Sequence, residues 1–250
     1  MVEYRIDPHE ISDLDGFSVE LTVGKVKTLL ENGLDRKAME ATFFSVVNQG
    51  ESESDFCELL ETASHLQRAT GRPVLVHLRA GDISAVGVLE FLKRVKALEL
   101  SNFLIITGDK RRLDDGFSTG LALLSALRDA AGDEITLAST IDVNQAAGRT
   151  ATMLLEEWEK RNECGADFAI TQIFFEPEML IGLRKKLEND AVIVPGLVSG
   201  LSEKQVGWIE CVLGITVPMD FRQNPVAFNK RLKERLNKSG FGFFHYFGMD

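Results

Sequence analysis

A chain of 250 residues, 44% hydrophobic and 26% charged, carries enough apolar material for one large globular domain with a full core. A net charge of −10 and a pI near 5.0 argue against a nucleic-acid surface, because the basic residues are scattered and the nearest cluster, Lys110-Arg111-Arg112, is followed at once by Asp114 and Asp115. No apolar run approaches the roughly 18 residues of a membrane span, Cys57, Cys164 and Cys211 lie far apart with no C-x-x-C pair, and the four histidines show no ligand spacing. The expectations are free thiols, a cytoplasmic location, no membrane, no nucleic acid and no metal.

Residues 1–16 are acidic and polar and are expected to precede the folded domain, which spans 17–250. From residue 17 onward, short β-branched or aromatic runs alternate with longer amphipathic segments, the pattern of successive βα units. Strands are predicted near 17–23, 42–48, 73–79, 102–108, 135–141, 167–175, 191–197 and 242–248, with helices such as 55–70, 85–100 and 149–164 between them. Eight units favour a (β/α)8 TIM barrel over a doubly wound sheet, and no G-x-G-x-x-G turn follows the first strand. The eighth strand runs almost to Asp250, so the final helix is expected to be missing. That would bare an apolar seam of Phe17, Val19, Phe244 and Tyr246. The first 16 residues could cross part of it, and a second subunit, identical or different, is expected to cover the rest.

Alternation along the strands sorts side chains into helix-facing and lumen-facing sets. Ser18, Glu20 and Thr22 fall on the lumen side of strand one, and His77 with Arg79 on that of strand three. Thr107 and Asp109 end strand four, Gln172 lies in strand six and His245 in strand eight. An unpaired lumen carboxylate is costly, so Glu20 needs either a salt bridge, for which Arg79 is the candidate, or a chemical task. Gln172 is either a satisfied interior amide or a ligand-binding group at the end of a barrel strand, where such enzymes build their sites.

The run GADFAITQIFF at 165–175, with Val194-Pro195-Gly196, Gly108-Asp109 and the first-strand FSVELT, resembles the methylenetetrahydrofolate reductase family, in order, over roughly 17–247. The resemblance implies that Glu20 is the general acid that protonates N10 of the folate. It implies that Asp109 stabilises the resulting cation and contacts substrate, and that Gln172 holds the pterin. It also implies a reduced nicotinamide, NADH or NADPH, as hydride donor and FAD as a possible cofactor, with His77, Thr107, Phe117 and Arg161 at cofactor-contacting positions. Several flavin-side residues depart from the family pattern. Thr107 stands for arginine, Phe117 for tyrosine, Leu154 for aspartate, and Ser139-Thr140-Ile141-Asp142 for the fifth-strand tyrosine-proline-glutamate pattern. Thr22-Val23-Gly24 replaces the proline pair after the glutamate, whereas Arg161 keeps a basic residue. The expected activity is reduction of 5,10-methylenetetrahydrofolate, through a flavin held differently or directly from the nicotinamide. The alternative is a non-catalytic folate-binding or assembly subunit of a one-carbon-metabolism complex.

Overall fold

The computed structural model describes residues 4–13, 15–33, 40–109, 111–144, 148–188 and 191–248. Among these residues nine parallel strands form one sheet: β1 (Gly16–Thr22), β2 (Phe43–Val47), β3 (Val74–Arg79), β4 (Asn102–Ile106), β5 (Thr136–Ile141), β6 (Phe168–Thr171), β7 (Ile193–Val194), β8 (Gly196–Val198) and β9 (Phe243–Phe247). Their order is β7-β6-β5-β4-β3-β2-β1-β9-β8. The two outermost members, β7 and β8, are consecutive in sequence and separated only by Pro195, so the sheet closes on itself as an α/β TIM barrel.

A short helix, α1 (Pro8–Asp13), precedes β1. The helices α2 (Val23–Asn32), α3 (Glu53–Thr70), α4 (Val88–Ala97), α5 (Gly120–Ala131), α6 (Ala151–Glu163) and α7 (Glu178–Arg184) follow β1 to β6 in turn. After β8 come α8 (Glu203–Trp208), which runs into a π-turn at Ile209–Leu213, then α9 (Met219–Gln223) and α10 (Pro225–Asn237). Local sequence sets these limits. Ser52 and Asp55 close a capping box at the start of α3, and Gly71, left-handed at φ 64°, ends it. Thr119, Thr150 and Asn224 accept from the third residue onward to start α5, α6 and α10. In α3 the helical spacing of Phe56, Leu59, Leu60, Ala63 and Leu66 buries one face against the sheet.

Strand alternation divides the core in two. Val19, Leu21, Phe44, Val46, Val76 and Phe103 point outward to the helices. Phe43, Leu75, Leu104, Phe168, Ile170 and Phe243 fill the lumen. A third apolar cluster, built from Ile173, Phe175, Val198, Val206, Ile209, Val217 and Phe221, joins the segment after β6 to α8 and α9.

The structure corrects several boundaries. Strand six stops at Thr171 rather than 175, because Ile173 and Phe175 turn away into the third cluster. Strand seven is divided at Pro195, which has no N–H to give a ladder. Its first half pairs with β6 and its second with β9, and the Pro195 carbonyl accepts from the His245 N–H at 2.9 Å. Glycine is needed at 196, since a Cβ there would lie 2.6 Å from the Thr171 carbonyl oxygen and 2.4 Å from the Phe247 ring. Helix four begins at Val88, after a 3-10 turn at Ala85–Gly87.

The described part of the N-terminal segment lies at the floor of the barrel rather than along the seam between β9 and β1. Ile6 and Ile11 cap the lumen core from below. The Asn102 amide donates to the Tyr4 carbonyl and accepts from the Ile6 N–H, and the Thr136 hydroxyl donates to the Ile6 carbonyl. The seam is largely covered from within. Val19 and Phe244 are fully buried, α10 contributes Leu232 and Leu236 to the same core, and Lys233 Nζ sits 4.7 Å over the Phe244 ring. A groove of about 510 Å³ remains, bordered by Phe17, Val226, Lys233 and Tyr246. Among the described residues no helix follows β9, and none is long and apolar enough to cross a membrane.

Candidate functional site

β1 carries Glu20 on its lumen side, in register with Ser45 of β2, and ends where Thr22 caps α2 by accepting from the Lys25 N–H. The Glu20 side chain keeps one fifth of its exposure, and burial raises its pKa from 4.5 to about 7. Arg79 is not its partner. That guanidinium is paired with Asp82 at 2.9 Å, three residues on in the 3-10 turn that ends β3, and also donates to the Gly50 carbonyl. Asp82, fully buried, further accepts from the Asn48 amide at 2.6 Å and from the Arg79 backbone N–H. A short turn satisfies the arginine locally, leaving the glutamate without a lysine or arginine partner among the described residues.

Two serine–histidine pairs lie around the carboxyl. Ser45 Oγ is 2.7 Å from His77 Nε2, and Ser18 Oγ is 2.8 Å from His245 Nδ1. His77 Nε2 is 3.9 Å from the nearer Glu20 oxygen. Burial lowers the pKa of His77 to about 4 and that of His245 to about 3, with His77 nearby adding to the second shift. Both rings are therefore neutral near pH 7. The His245 Nε2 atom is buried with no partner among the described residues.

At the mouth, Thr107, Gly108 and Asp109 follow β4 and are exposed. Gly108 adopts φ 77° and its Cα rests against the Arg79 stem; a Cβ would come within 2.8 Å of Arg79 Cγ. The buried ion pair thus seats the turn that presents Asp109. Gln172 is half-buried, one residue beyond the end of β6, with its backbone N–H donating to the Ile141 carbonyl at 2.8 Å. The fold brings Glu20, His77 and His245 together in the lumen and sets Asp109 and Gln172 on its rim.

Of the positions expected to meet a flavin, His77 and Arg161 turn their polar groups inward and Phe117 and Leu154 have none, while Thr107 stands exposed at the mouth. His77 is turned into the lumen and bonded to Ser45. Leu154 is fully buried between sheet and helices, and Phe117 packs against that same core. Arg161 spends its guanidinium on the Thr140 and Glu157 carbonyls, and the Thr107 hydroxyl accepts from the Gly120 N–H. Arg112 is paired with Glu53 and stacked 4.5 Å over the Phe56 ring, Arg111 donates to the Phe117 carbonyl, and Lys110 lies outside the described residues. These residues do not fit a flavin held in the manner the family resemblance implied. Among the described residues there is also no group of three or more His, Cys, Asp or Glu able to hold a metal ion.

Sequence reading missed Ser45, Asn48 and Asp82. Ser45 was legible in principle, since Phe43 and Ser45 alternate with Phe44 and Val46; Asp82 was not, because nothing in Arg79-Ala80-Gly81-Asp82 marks a 3-10 turn.

Among curated proteins, the chain is 24% identical over 209 residues to methylenetetrahydrofolate reductase (NADH) 1 of Arabidopsis thaliana, covering 73% of this chain and 35% of that protein. The chain thus spans about a third of the length of that relative. Solved structures of similar fold include oxaloacetate acetylhydrolase with 3,3-difluorooxalacetate (TM-score 0.56, 12% identity, 96% of this chain and 77% of that one). Another is 2,3-dimethylmalate lyase in its trigonal crystal form (TM-score 0.54, 14% identity, 95% and 76%). At such identity these two share the barrel alone. The family model for methylenetetrahydrofolate reductase matches residues 13–235, which include Glu20, His77, Asp109 and Gln172 but not His245, and the chain belongs to that family.

Proposed function

We propose that the protein reduces 5,10-methylenetetrahydrofolate to 5-methyltetrahydrofolate with hydride from a reduced nicotinamide. Glu20 carries this reading: a lumen carboxyl with no lysine or arginine partner among the described residues and a pKa of about 7 holds a proton often enough near neutral pH to act as an acid. Its proton goes to N10 of the folate, the bond from N10 to the methylene carbon breaks, and an iminium forms between N5 and that carbon. A hydride then moves with its electron pair from the nicotinamide C4 to the same carbon, leaving an N5-methyl group and oxidised nicotinamide. Glu20 regains its proton from solvent at the mouth. Asp109 on the rim supplies negative charge toward the cation, and Gln172 pairs with the pterin. The NADH in the name of the Arabidopsis relative makes NADH the first donor to try.

Since His77 and Arg161 are engaged internally and Phe117 and Leu154 carry no polar group, the hydride passes to the folate directly from the nicotinamide. The purified protein is expected to leave gel filtration without stoichiometric flavin; a yellow protein with FAD at one per chain would overturn that expectation. The same internal engagement favours, as a second reading, a folate-binding or assembly subunit without turnover. An anaerobic assay with 5,10-methylenetetrahydrofolate and each nicotinamide, with and without added FAD, separates the two. Formation of 5-methyltetrahydrofolate supports the enzyme, whereas tight folate binding with no product in any combination supports the subunit.

Gln172→Ala should weaken folate binding by about 1 to 3 kcal/mol, the cost of leaving buried hydrogen-bonding groups of the pterin unpaired. Calorimetric titration is the check. An unchanged Kd combined with a lower Tm would make Gln172 a structural residue.

A further inference from the structure

Ser45 takes no part in the proton and hydride transfers, yet it is fully buried beside the acid. Glu20 and Ser45 are register partners on β1 and β2, and His77 of β3 reaches both. One atom, His77 Nε2, has two candidate partners, the Ser45 hydroxyl at 2.7 Å and the Glu20 carboxyl at 3.9 Å. Only the first is within hydrogen-bonding distance, and a ring nitrogen makes one such bond at a time. The hydroxyl therefore holds the imidazole away from the carboxyl.

The surrounding charges sharpen the consequence. From β3, Glu20 faces His77, while Arg79 on the same strand is bound to Asp82. From β9, His245 is bonded to Ser18 of β1 itself, and β2 contributes only the neutral Ser45. Asp109 after β4 is exposed at the rim. Of these groups, His77 is the one able to become a cation in direct contact with the acid. Were its Nε2 released, the ring and the carboxyl would be free to close the gap, transfer the proton and form an imidazolium–carboxylate pair, which favours the ionised carboxyl.

We propose that Ser45 is a positioning residue: by occupying His77 Nε2 it denies Glu20 an imidazole partner and so keeps the acid protonated. This rests on the reading of Glu20 as the proton donor, but its first test does not require turnover. Infrared difference spectra across a pH titration follow the protonated carboxyl of Glu20, identified as the band absent in Glu20→Gln. Ser45→Ala should move that titration down by about one pH unit or more, Ser45→Thr should return it toward the parent value, and Ser45→Cys, which keeps the volume but bonds weakly, should fall between. In turnover assays near neutral pH, Ser45→Ala should lose about tenfold in kcat with KM little changed, and the loss should shrink as pH is lowered. A Glu20 band that titrates at the parent pH in both the alanine and cysteine variants overturns the proposal. If Ser45→Ala fails to fold, the cysteine variant alone decides between a shifted titration, which supports the role of Ser45, and an unshifted one, which removes it. A lowered titration in a protein that reduces no folate in any form leaves Ser45 as inferred and removes the reductase reading instead.

Discussion

Glu20→Gln is expected to lower kcat by about 100-fold or more while leaving folate affinity almost unchanged, the scale of losing a general acid. Glutamine matches the neutral carboxyl in shape, so the lumen need not repack. The same substitution has a signature in stability. In the folded protein the carboxyl titrates near pH 7, against 4.5 for its ordinary value, so between those limits the folded state holds the extra proton. Its contribution therefore falls as pH rises through that window and becomes a constant penalty above it, on the order of 3 kcal/mol. Glutamine cannot ionise. The variant should be more stable than the parent at about pH 8 and no more stable at about pH 4.5, as read by urea denaturation at each pH. Equal kcat values for variant and parent would remove Glu20 from the chemistry, whatever the denaturation curves show.

Asp82→Ala should be the most damaging single change to stability, at about 3 to 5 kcal/mol, because it leaves the Arg79 guanidinium buried without its counter-charge. Both side chains are almost wholly out of water, and Asp82 also holds the Asn48 amide and the Arg79 backbone N–H. A thermal melt is the direct check, with a fall in Tm on the order of 10 °C expected for a chain of this size. The double variant Asp82→Ala with Arg79→Met should recover much of the loss, since no charge is then stranded. A Tm within a degree or two of the parent for Asp82→Ala would show that water reaches and solvates the arginine.

The barrel was legible because strand alternation is a strictly local signal. Phe43 and Phe44 differ by one residue and face lumen and helices respectively, as a period of two requires. Glu20 followed from the same rule. The partner of Arg79 did not: alternation placed Arg79 on the correct face, but its pairing with Asp82 rather than Glu20 depended on a three-residue turn that carries no periodic pattern. The floor was hidden for a related reason. Ile6 and Ile11 stand in an acidic, polar segment, and only in three dimensions do Asn102 and Thr136, at the starts of β4 and β5, present the groups that dock it. The division of strand seven was foreshadowed by Pro195, yet which neighbour each half would choose depends on closure of the whole ring.

Thr171 belongs to the barrel, and Ile173 belongs to the apolar cluster formed with α8 and α9. Gln172 stands between them, one residue from each. Any local loosening of that cluster would move the amide, so a ligand gripped by it would favour the packed state, and occupancy and local folding there would share one free energy. By that linkage Phe221, buried in this cluster against Phe175 at 4.9 Å between ring centroids, would bear on affinity through the fraction of molecules in which the amide is held ready rather than through any contact of its own.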